Sequence, residues 1–275
     1  MRRSLAIACW ACLALSAAAG EPAAPVRPGS VVRWSGPDIE GCGAHGQAWP
    51  PLDDVCYYAI DLLQPAGPLA LERRRAGRKE IYSLEVAAFD YPVQTLTLPS
   101  GMVELSAKDL ARVERENRAI ARLWGRGGKR QFGLPLRPPL DPLPEGGRFG
   151  HRRVINASPR NPHSGADYTA PAGAPVLAVA DGSVVMVADH FFGGQSVFLD
   201  HGDGLISMYF HLSRVDVAQG QRVRGGGTIG AVGATGRALG PHLHFGVRWH
   251  GARVNPAQLL KDPAELPAIE STSTP

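Results

Sequence analysis

The sequence predicts a mainly β protein, in which a C-terminal antiparallel β-sheet domain is preceded by a smaller β-rich domain that ends in a helix. Two observations support this fold class. The 275-residue chain contains 33 glycines and 24 prolines without a collagen-like period, which indicates many turns and argues against a helical bundle. The C-terminal half also consists of short β-prone runs separated by Gly- and Asp-rich turns, with no long helical pattern.

The first nineteen residues have the order of a secretory signal peptide. Arg2 and Arg3 precede an apolar run over residues 5–15, and small residues follow up to Gly20. The run is too short for a permanent membrane anchor. We therefore expect cleavage after Ala19 and export, with the periplasm as the favoured compartment and the cell exterior as the alternative. A short buried N-terminal helix is the competing interpretation.

Removal of residues 1–19 changes both the charge and the cysteine content. The remaining chain has 27 basic and 25 acidic residues, a net charge of +2, and thus no electrostatic footprint for nucleic acid. Cys42 and Cys56 remain as a single pair, for which we predict a disulfide in an oxidising compartment. Closing a loop of about fifteen residues would stabilise the fold by on the order of 3 kcal/mol. Two unrelated buried thiols are the alternative, and a zinc site is disfavoured because no further cysteine completes it.

The N-terminal domain is predicted over residues 20–125. Ser106 and Asp109 resemble a capping box, and apolar residues at helical spacing then predict a helix that ends near Gly125. The basic run at residues 73–79 is interpreted as a solvated loop rather than a site for anionic polymers. Short strand-like runs bounded by Pro and Gly lie at residues 81–86, 93–98 and 102–105.

Three further segments complete the predicted organisation. Residues 126–147 are so dense in Pro and Gly that they cannot continue a helix or hold a central strand, so we predict an interdomain linker. Residues 148–262 form the C-terminal domain, in which strand-like runs alternate with turns. Residues 263–275 are rich in Pro, Glu, Ser and Thr and are predicted to be a flexible tail.

Eight of the nine histidines follow residue 150, and two spacings among them favour a metal site. His242 and His244 are two residues apart, so on a strand both face the same side. His163 and Asp167 share a face in an extended segment or in one turn, and Gly165 permits a bend between them. An ordinary loop hydrogen bond is the alternative for that pair. Two histidines and one carboxylate form a common catalytic zinc set, but spacing alone leaves open which histidines join Asp167.

Three segments carry these residues in a fixed order: HSGAD at 163–167, YFHL at 209–212 and GPHLHF at 240–245. Their order and separation resemble the M23 metallopeptidases of the lysostaphin and LytM type, over essentially residues 130–258. The resemblance implies that one Zn²⁺ per chain is bound by His163, Asp167 and His244. It also implies that His211 and His242 are the two catalytic histidines, which handle the metal-bound water.

The sequence departs from the family pattern at two places. Phe210 replaces the glycine of the Tyr-Gly-His motif that many relatives carry. No tyrosine stands shortly before His163, where some members carry an oxyanion stabiliser, so this role falls to Arg160 or to another group. The remaining histidines of the C-terminal half match no metal motif and are interpreted as surface or turn histidines, namely His190, His201 and His250.

The resemblance and the export signal together predict a secreted zinc endopeptidase. Its substrates would be peptide crosslinks or stem peptides of bacterial peptidoglycan, bound in an open groove. A non-catalytic wall-binding module that activates another hydrolase is the alternative, disfavoured because all five site positions are present. A peptidase that acts on an extracellular or periplasmic protein is a third possibility. We expect the N-terminal domain to cover the groove or to recruit the enzyme to a partner in the envelope.

Overall fold

The computed structural model describes residues 26–98, 100 and 103–270. The predicted signal peptide lies outside these residues. The described part of the chain is mainly β, with large antiparallel sheets, as the sequence predicts. No helix within it is both long and apolar enough to cross a membrane.

The N-terminal unit contains a two-stranded and a four-stranded antiparallel sheet. Their strand orders are β1-β4 and β3-β2-β5-β6. The Cys42–Cys56 disulfide joins β2 to β4, which confirms the predicted pairing. The strands are β1 (Val31–Ser35), β2 (Ile39–Ala44), β3 (Gln47–Trp49), β4 (Val55–Ala59), β5 (Gly67–Arg75) and β6 (Arg78–Val86).

The prediction that the basic run at residues 73–79 is a solvated loop is wrong. This run forms the end of β5, a tight turn, and the start of β6. Arg73 is buried, and its guanidinium lies over the ring of Trp34, 4.1 Å from the centroid, and pairs with Glu80. The strand pairing of a hairpin places this charge inside, where the carboxylate and the aromatic face compensate for its burial.

The predicted helix is present as α1 (Ala107–Ala121), and the Ser106 side chain accepts a hydrogen bond from the Asp109 amide. The helix and the residues after it pack on the C-terminal sheet, where Leu123 joins Phe198 in an apolar cluster. The helix therefore belongs with the C-terminal domain in space. Residues 103–105, predicted as part of a strand, form a turn in which two amides donate to the Ser100 carbonyl.

The C-terminal domain is built on a ten-stranded sheet whose main path is β16-β13-β14-β15-β18-β11-β8. A second sheet, β10-β9-β7, contains a parallel pair, β7 with β9, which joins residues before the helix to the C-terminal domain. A short helix, α2 (Pro256–Leu259), and a 3-10 helix (Pro263–Glu265) follow the last strand. The strands are β7 (Val93–Leu96), β8 (Gly146–Gly147), β9 (Arg152–Ile155), β10 (Ser158–Arg160), β11 (Gly165–Thr169), β12 (Pro175–Leu177), β13 (Gly182–His190), β14 (Gly194–Asp200), β15 (Leu205–Val215), β16 (Arg222–Val223), β17 (Thr228–Val232), β18 (His242–Trp249) and β19 (Ala252–Val254).

Residues 126–147, predicted as a linker, lie against the C-terminal core. Phe132, Leu136 and Leu140 are all buried in the same apolar cluster as the central strands. The Leu136 amide donates to the Leu259 carbonyl at 2.7 Å. The proline-rich segment therefore covers one side of the core in extended form, which its apolar residues favour and its prolines permit.

Residues 263–270, predicted as the start of a flexible tail, also pack on the fold. Leu266 and Ile269 are buried, and Ile269 lies in the core of the N-terminal unit. The Arg33 amide donates to the Pro267 carbonyl at 2.9 Å, and the Ile269 amide donates to the Arg33 carbonyl at 2.8 Å. Two apolar side chains within a polar segment are enough to anchor it beside β1. The rest of the predicted tail, residues 271–275, lies outside the described residues.

Candidate metal centre

The neighbouring strands β11 and β18 bring a carboxylate and an imidazole together. Their antiparallel register places Asp167 directly opposite His244, so both side chains share one face of the sheet. The His244 Nδ1 atom lies 2.9 Å from Asp167 Oδ1. His163, just before β11, completes the group, with its Nε2 atom 2.9 Å from the same oxygen and 2.8 Å from His244 Nδ1.

The three side chains form a set of donors suited to a metal ion. The His163 Nδ1–H donates to the Arg148 carbonyl at 3.0 Å, which leaves the Nε2 lone pair facing the other two ligands. Each of the three residues offers one ligand atom, and these atoms all lie within 4.8 Å of one another. Two imidazole nitrogens and a carboxylate oxygen match the donor types of a catalytic zinc site.

Residue 165 must be a glycine because the neighbouring atoms leave no space for a side chain. A Cβ atom at this position would lie 2.6 Å from His244 Nε2 and 2.6 Å from the Phe245 carbonyl oxygen. The residue lies in the regular strand β11 rather than at a bend between His163 and Asp167. The expected role of this glycine, a flexible turn, is therefore corrected to close approach of the neighbouring strand.

His211 reaches the centre through a local distortion of β15. Phe210 is paired with His244, so the next residue of a regular strand would point to the opposite face. His211 instead has a φ of 64°, and the pairing of β15 with β17 shifts register just after it. This left-handed backbone brings its imidazole to 4.7 Å from that of His242, measured between ring centroids.

The two additional histidines each have one nitrogen held by a backbone carbonyl. His211 Nδ1 donates to the Thr235 carbonyl at 2.9 Å, and His242 Nδ1 donates to the Gly240 carbonyl at 2.9 Å. Within the described residues, their Nε2 atoms have no hydrogen-bond partner, although His242 Nε2 lies 3.9 Å from Asp167 Oδ1. Both Nε2 atoms therefore carry lone pairs able to exchange a proton at the centre.

Burial sets the charge of these groups. It lowers the pKa of both His211 and His244 to about 4, so both imidazoles are neutral at pH 7. Burial alone would raise the pKa of Asp167, but the adjacent imidazoles of His163 and His244 hold that pKa below its usual range. Neutral imidazoles beside an ionised carboxylate are the protonation states in which these residues bind a metal.

Three histidines predicted to lie at the surface or in turns are packed inside the protein. His201 is fully buried, with Nδ1 2.7 Å from the Asp181 carbonyl oxygen and Nε2 2.7 Å from Ser207 Oγ. His190 is also buried, and His250 stacks on Trp49 at 4.2 Å between ring centroids. None of the three lies in the metal-binding group. His201 and His250 lie in the turns that follow β14 and β18, as predicted, although His201 is buried there, whereas His190 is buried at the end of the strand β13.

Sequence reasoning noted one residue that shapes the centre, Phe210, and missed two others, Thr235 and Arg153. The Phe210 ring stacks on His244 at 5.3 Å between centroids, with an interplanar angle of 10°, so the departure from Tyr-Gly-His adds a wall beside this imidazole. Thr235 orients His211, as described above. Arg153 Nη2 lies 3.7 Å from Asp167 Oδ2. The contact of Thr235 is made by its backbone carbonyl, which every residue type has, so the sequence gives no sign of it. The arginines near residue 153 are apparent in the sequence as charges without an assigned role.

The segment that carries this centre is similar to known proteins. A model of peptidase family M23 matches residues 161–256. The peptidoglycan DD-endopeptidase ShyC of Vibrio cholerae is 38% identical over 148 residues, which are 54% of this chain and 32% of that protein. The DD-carboxypeptidase/endopeptidase Mpg of Neisseria meningitidis is 45% identical over 118 residues, 43% of this chain and 27% of that protein. The chain thus spans about a third or less of these relatives.

A solved structure matches nearly the whole fold. The crystal structure of a peptidase M23 from Pseudomonas aeruginosa aligns with a TM-score of 0.66 and 34% identity, over 86% of this chain and 95% of that one. The alignment therefore extends beyond the segment that the family model matches and includes the N-terminal unit. On this similarity, and on the family match around the His/Asp/His centre, the chain belongs to peptidase family M23.

Proposed function

We propose that this protein is a zinc metalloendopeptidase that hydrolyses peptide bonds in bacterial peptidoglycan. The observation that carries the proposal is the convergence of His163, Asp167 and His244 on one point, with His211 and His242 beside them. The names of the curated relatives support peptidoglycan as the substrate. The donor set fits one Zn²⁺, held by His163 Nε2, His244 Nδ1 and the Asp167 carboxylate.

The histidines of the chain would perform the proton transfers. When bound, Zn²⁺ supplies Lewis acidity toward the scissile carbonyl and lowers the pKa of water at the site. The Thr235 carbonyl fixes the tautomer of His211, whose neutral Nε2 accepts a proton from the attacking water. His242, oriented in the same way by the Gly240 carbonyl, would hold that water through its Nε2 lone pair, and the proton taken from the water would pass from these imidazoles to the leaving amine. Phe210 limits water access beside His244.

We further propose that the protein acts outside the cytoplasm, with the periplasm as the favoured compartment. The signal-like order of residues 1–19 supports export. The Cys42–Cys56 disulfide supports an oxidising compartment. The near-neutral charge of the chain after signal removal gives no support to a nucleic-acid partner.

Release of muropeptides from purified sacculi tests the proposed activity. We expect metal-loaded protein to release soluble muropeptides, and a chelator or the His211→Ala substitution to abolish the release. Folded, metal-loaded protein that releases nothing, and behaves like His211→Ala, would favour the wall-binding module instead. A denatured protein assayed in parallel separates peptidoglycan hydrolysis from general proteolysis, since cleavage of the denatured protein alone would contradict the proposed substrate.

A further inference from the structure

Arg153 lies beside the metal centre, with Nη2 3.7 Å from Asp167 Oδ2, and two further arginines lie on elements around it. In the antiparallel pair β9–β10, Arg153 is directly opposite Arg160, so both side chains share one face. Arg237 belongs to the loop between β17 and β18, and its guanidinium lies over the Phe192 ring at 4.2 Å from the centroid. Arg237 follows two residues after Thr235, whose carbonyl accepts the hydrogen bond from His211. Burial, and after it the charges of Arg153 and Arg160, lower the pKa of Arg237. We call Arg153, Arg160 and Arg237 the arginine cluster.

The protein provides little negative charge for this cluster. Among the described residues, Asp167 is the one carboxylate within 4 Å of any of the three guanidinium groups, at 3.7 Å from Arg153. That carboxylate already lies 2.9 Å from both His163 Nε2 and His244 Nδ1 and is one of the proposed metal ligands. Arg160 is exposed and Arg237 is half-buried, and neither forms an ion pair with a described residue. The cluster therefore presents uncompensated positive charge beside the centre.

Buried atoms under the cluster also lack partners. Among the residues that the structure describes, the buried Arg153 Nε has no hydrogen-bond acceptor, and the buried Gln94 Oε1 has no donor. Gln94 is the register partner of Arg153 on the parallel strand β7, so Arg160, Arg153 and Gln94 form a row across three strands. Like charges that face each other across strands destabilise a sheet. An arrangement that retains this repulsion next to a reaction centre is typical of a site that receives an anion.

We propose that the arginine cluster is a subsite for a free carboxylate of the peptide substrate, next to the scissile bond. Planar guanidinium groups bind carboxylates through paired hydrogen bonds, which makes arginine the preferred cation for this recognition. The inference rests on the proposed function and deepens it. It assigns the substrate to the class of acidic peptides and disfavours neutral peptides that consist of glycine or carry amidated carboxylates.

The position of Arg237 connects carboxylate binding to the catalytic histidine. Its amide donates to the Phe192 carbonyl at 2.9 Å, and Thr235, two residues earlier, accepts the hydrogen bond from His211. The loop that carries Arg237 therefore also sets the tautomer of His211. A carboxylate held by Arg237 would fix the substrate relative to the same loop.

The test uses the metal-loaded full chain and two soluble substrates. One is a disaccharide-peptide dimer purified from sacculi, and the other is the same dimer after conversion of its carboxylates to amides. We expect wild-type kcat/KM to be at least about tenfold higher for the carboxylate form. Arg160→Gln and Arg237→Gln should reduce this preference, mainly through KM. Arg115→Gln, which removes an equal charge from an exposed position of α1, should leave it unchanged.

Three outcomes would overturn the inference. Equal wild-type turnover of both dimers would remove the subsite while the proposed function stands. An equal fall of kcat on both dimers in Arg160→Gln and Arg237→Gln would indicate a role in stabilising the reaction's oxyanion instead. If neither dimer is hydrolysed by folded, metal-loaded protein, both the proposed function and the subsite are wrong. Because Arg160 is exposed, its substitution keeps the test valid even if Arg237→Gln folds poorly.

Discussion

His201 and His244 are two imidazoles of the same domain whose pKa values are lowered by burial, but their nitrogens have different contacts. Both nitrogens of His201 lie 2.7 Å from a fixed partner, the Asp181 carbonyl on one side and the Ser207 hydroxyl on the other. His244 Nδ1 instead faces the Asp167 carboxylate and the Nε2 lone pair of a second imidazole, that of His163. A perturbed pKa therefore does not separate a functional from a structural histidine here, whereas convergence of lone pairs does.

The largest effect is expected for His244→Ala, and it distinguishes His244 from His201. His244→Ala removes one of the three proposed ligands, so we expect loss of bound zinc and loss of activity by far more than the roughly 100-fold that changes outside the ligand set cost. Zinc content by mass spectrometry and muropeptide release measure the two effects. A variant that keeps both zinc and activity would show that His244 is not a ligand.

His211→Ala should separate catalysis from metal binding. His211 is not in the ligand group, so zinc content should stay at the wild-type level. Loss of a general base typically lowers the rate by about 10² to 10⁴-fold, and we expect kcat to fall within that range. The control is Thr235→Ser, which keeps the carbonyl that orients His211. A His211→Ala variant that loses zinc would place this residue among the ligands instead.

Gly165→Ala tests whether the ligand set depends on close approach of β11 and β18. The added Cβ would meet His244 Nε2 and the Phe245 carbonyl at 2.6 Å each, so one strand must shift. We expect zinc affinity to fall by about 10 to 100-fold, the effect of disturbing a ligand's surroundings. Gly147→Ala in the neighbouring strand β8 is the matched control, because its Cβ meets no atom within 4 Å. Equal affinities in the two variants would contradict the spatial argument.

His201→Asn should lower stability and leave zinc binding and activity unchanged, in contrast to the loss of zinc and activity expected for His244→Ala. The shorter side chain cannot reach both the Asp181 carbonyl and Ser207, and buried groups without partners cost about 1 to 3 kcal/mol. We expect the free energy of unfolding to fall by that amount, while zinc content and kcat of the folded protein stay unchanged. Urea denaturation measures the first and sacculus digestion the second. Lost activity at full stability would assign His201 a catalytic role.

Local spacing predicted which side chains share a face, but it left open which histidines join Asp167, and the resemblance to a family supplied the proposed ligands. His242 and His244 lie on one face of a strand by simple alternation. His211 is different, because its φ of 64° reverses the side to which alternation would assign it. Here the resemblance to a family supplied what periodicity could not. Burial of His201 depends on Asp181 and Ser207, which come from other parts of the chain, so neither composition nor spacing reports it.

The predicted domain boundaries also show that composition and spacing do not report burial. Density of Pro and Gly correctly excludes a helix and a central strand over residues 126–147, where the structure has only the short edge strand β8, yet it contains no information on burial. Phe132 and Leu136 are buried in the C-terminal core. Leu266 and Ile269 likewise bury a segment that composition assigned to a flexible tail. In each case a few apolar side chains pack on a surface formed by residues distant in the sequence, and that surface exists only after folding.

The smallest expected effect is the acid sensitivity that His201 contributes. Burial lowers its pKa in the folded state, whereas in the unfolded chain it titrates near 6.5. Below pH 6.5 the unfolded state therefore binds one more proton at this residue, so stability falls as pH falls, by about 1.4 kcal/mol per pH unit. His201→Asn lacks that proton, and between pH 6 and 5 its free energy of unfolding should decline less steeply than that of the wild type. Unfolding of the metal-free proteins in urea at several pH values measures both slopes. Equal slopes would mean that His201 is protonated in the folded protein, and the contrast with His244 would then rest on hydrogen bonding alone.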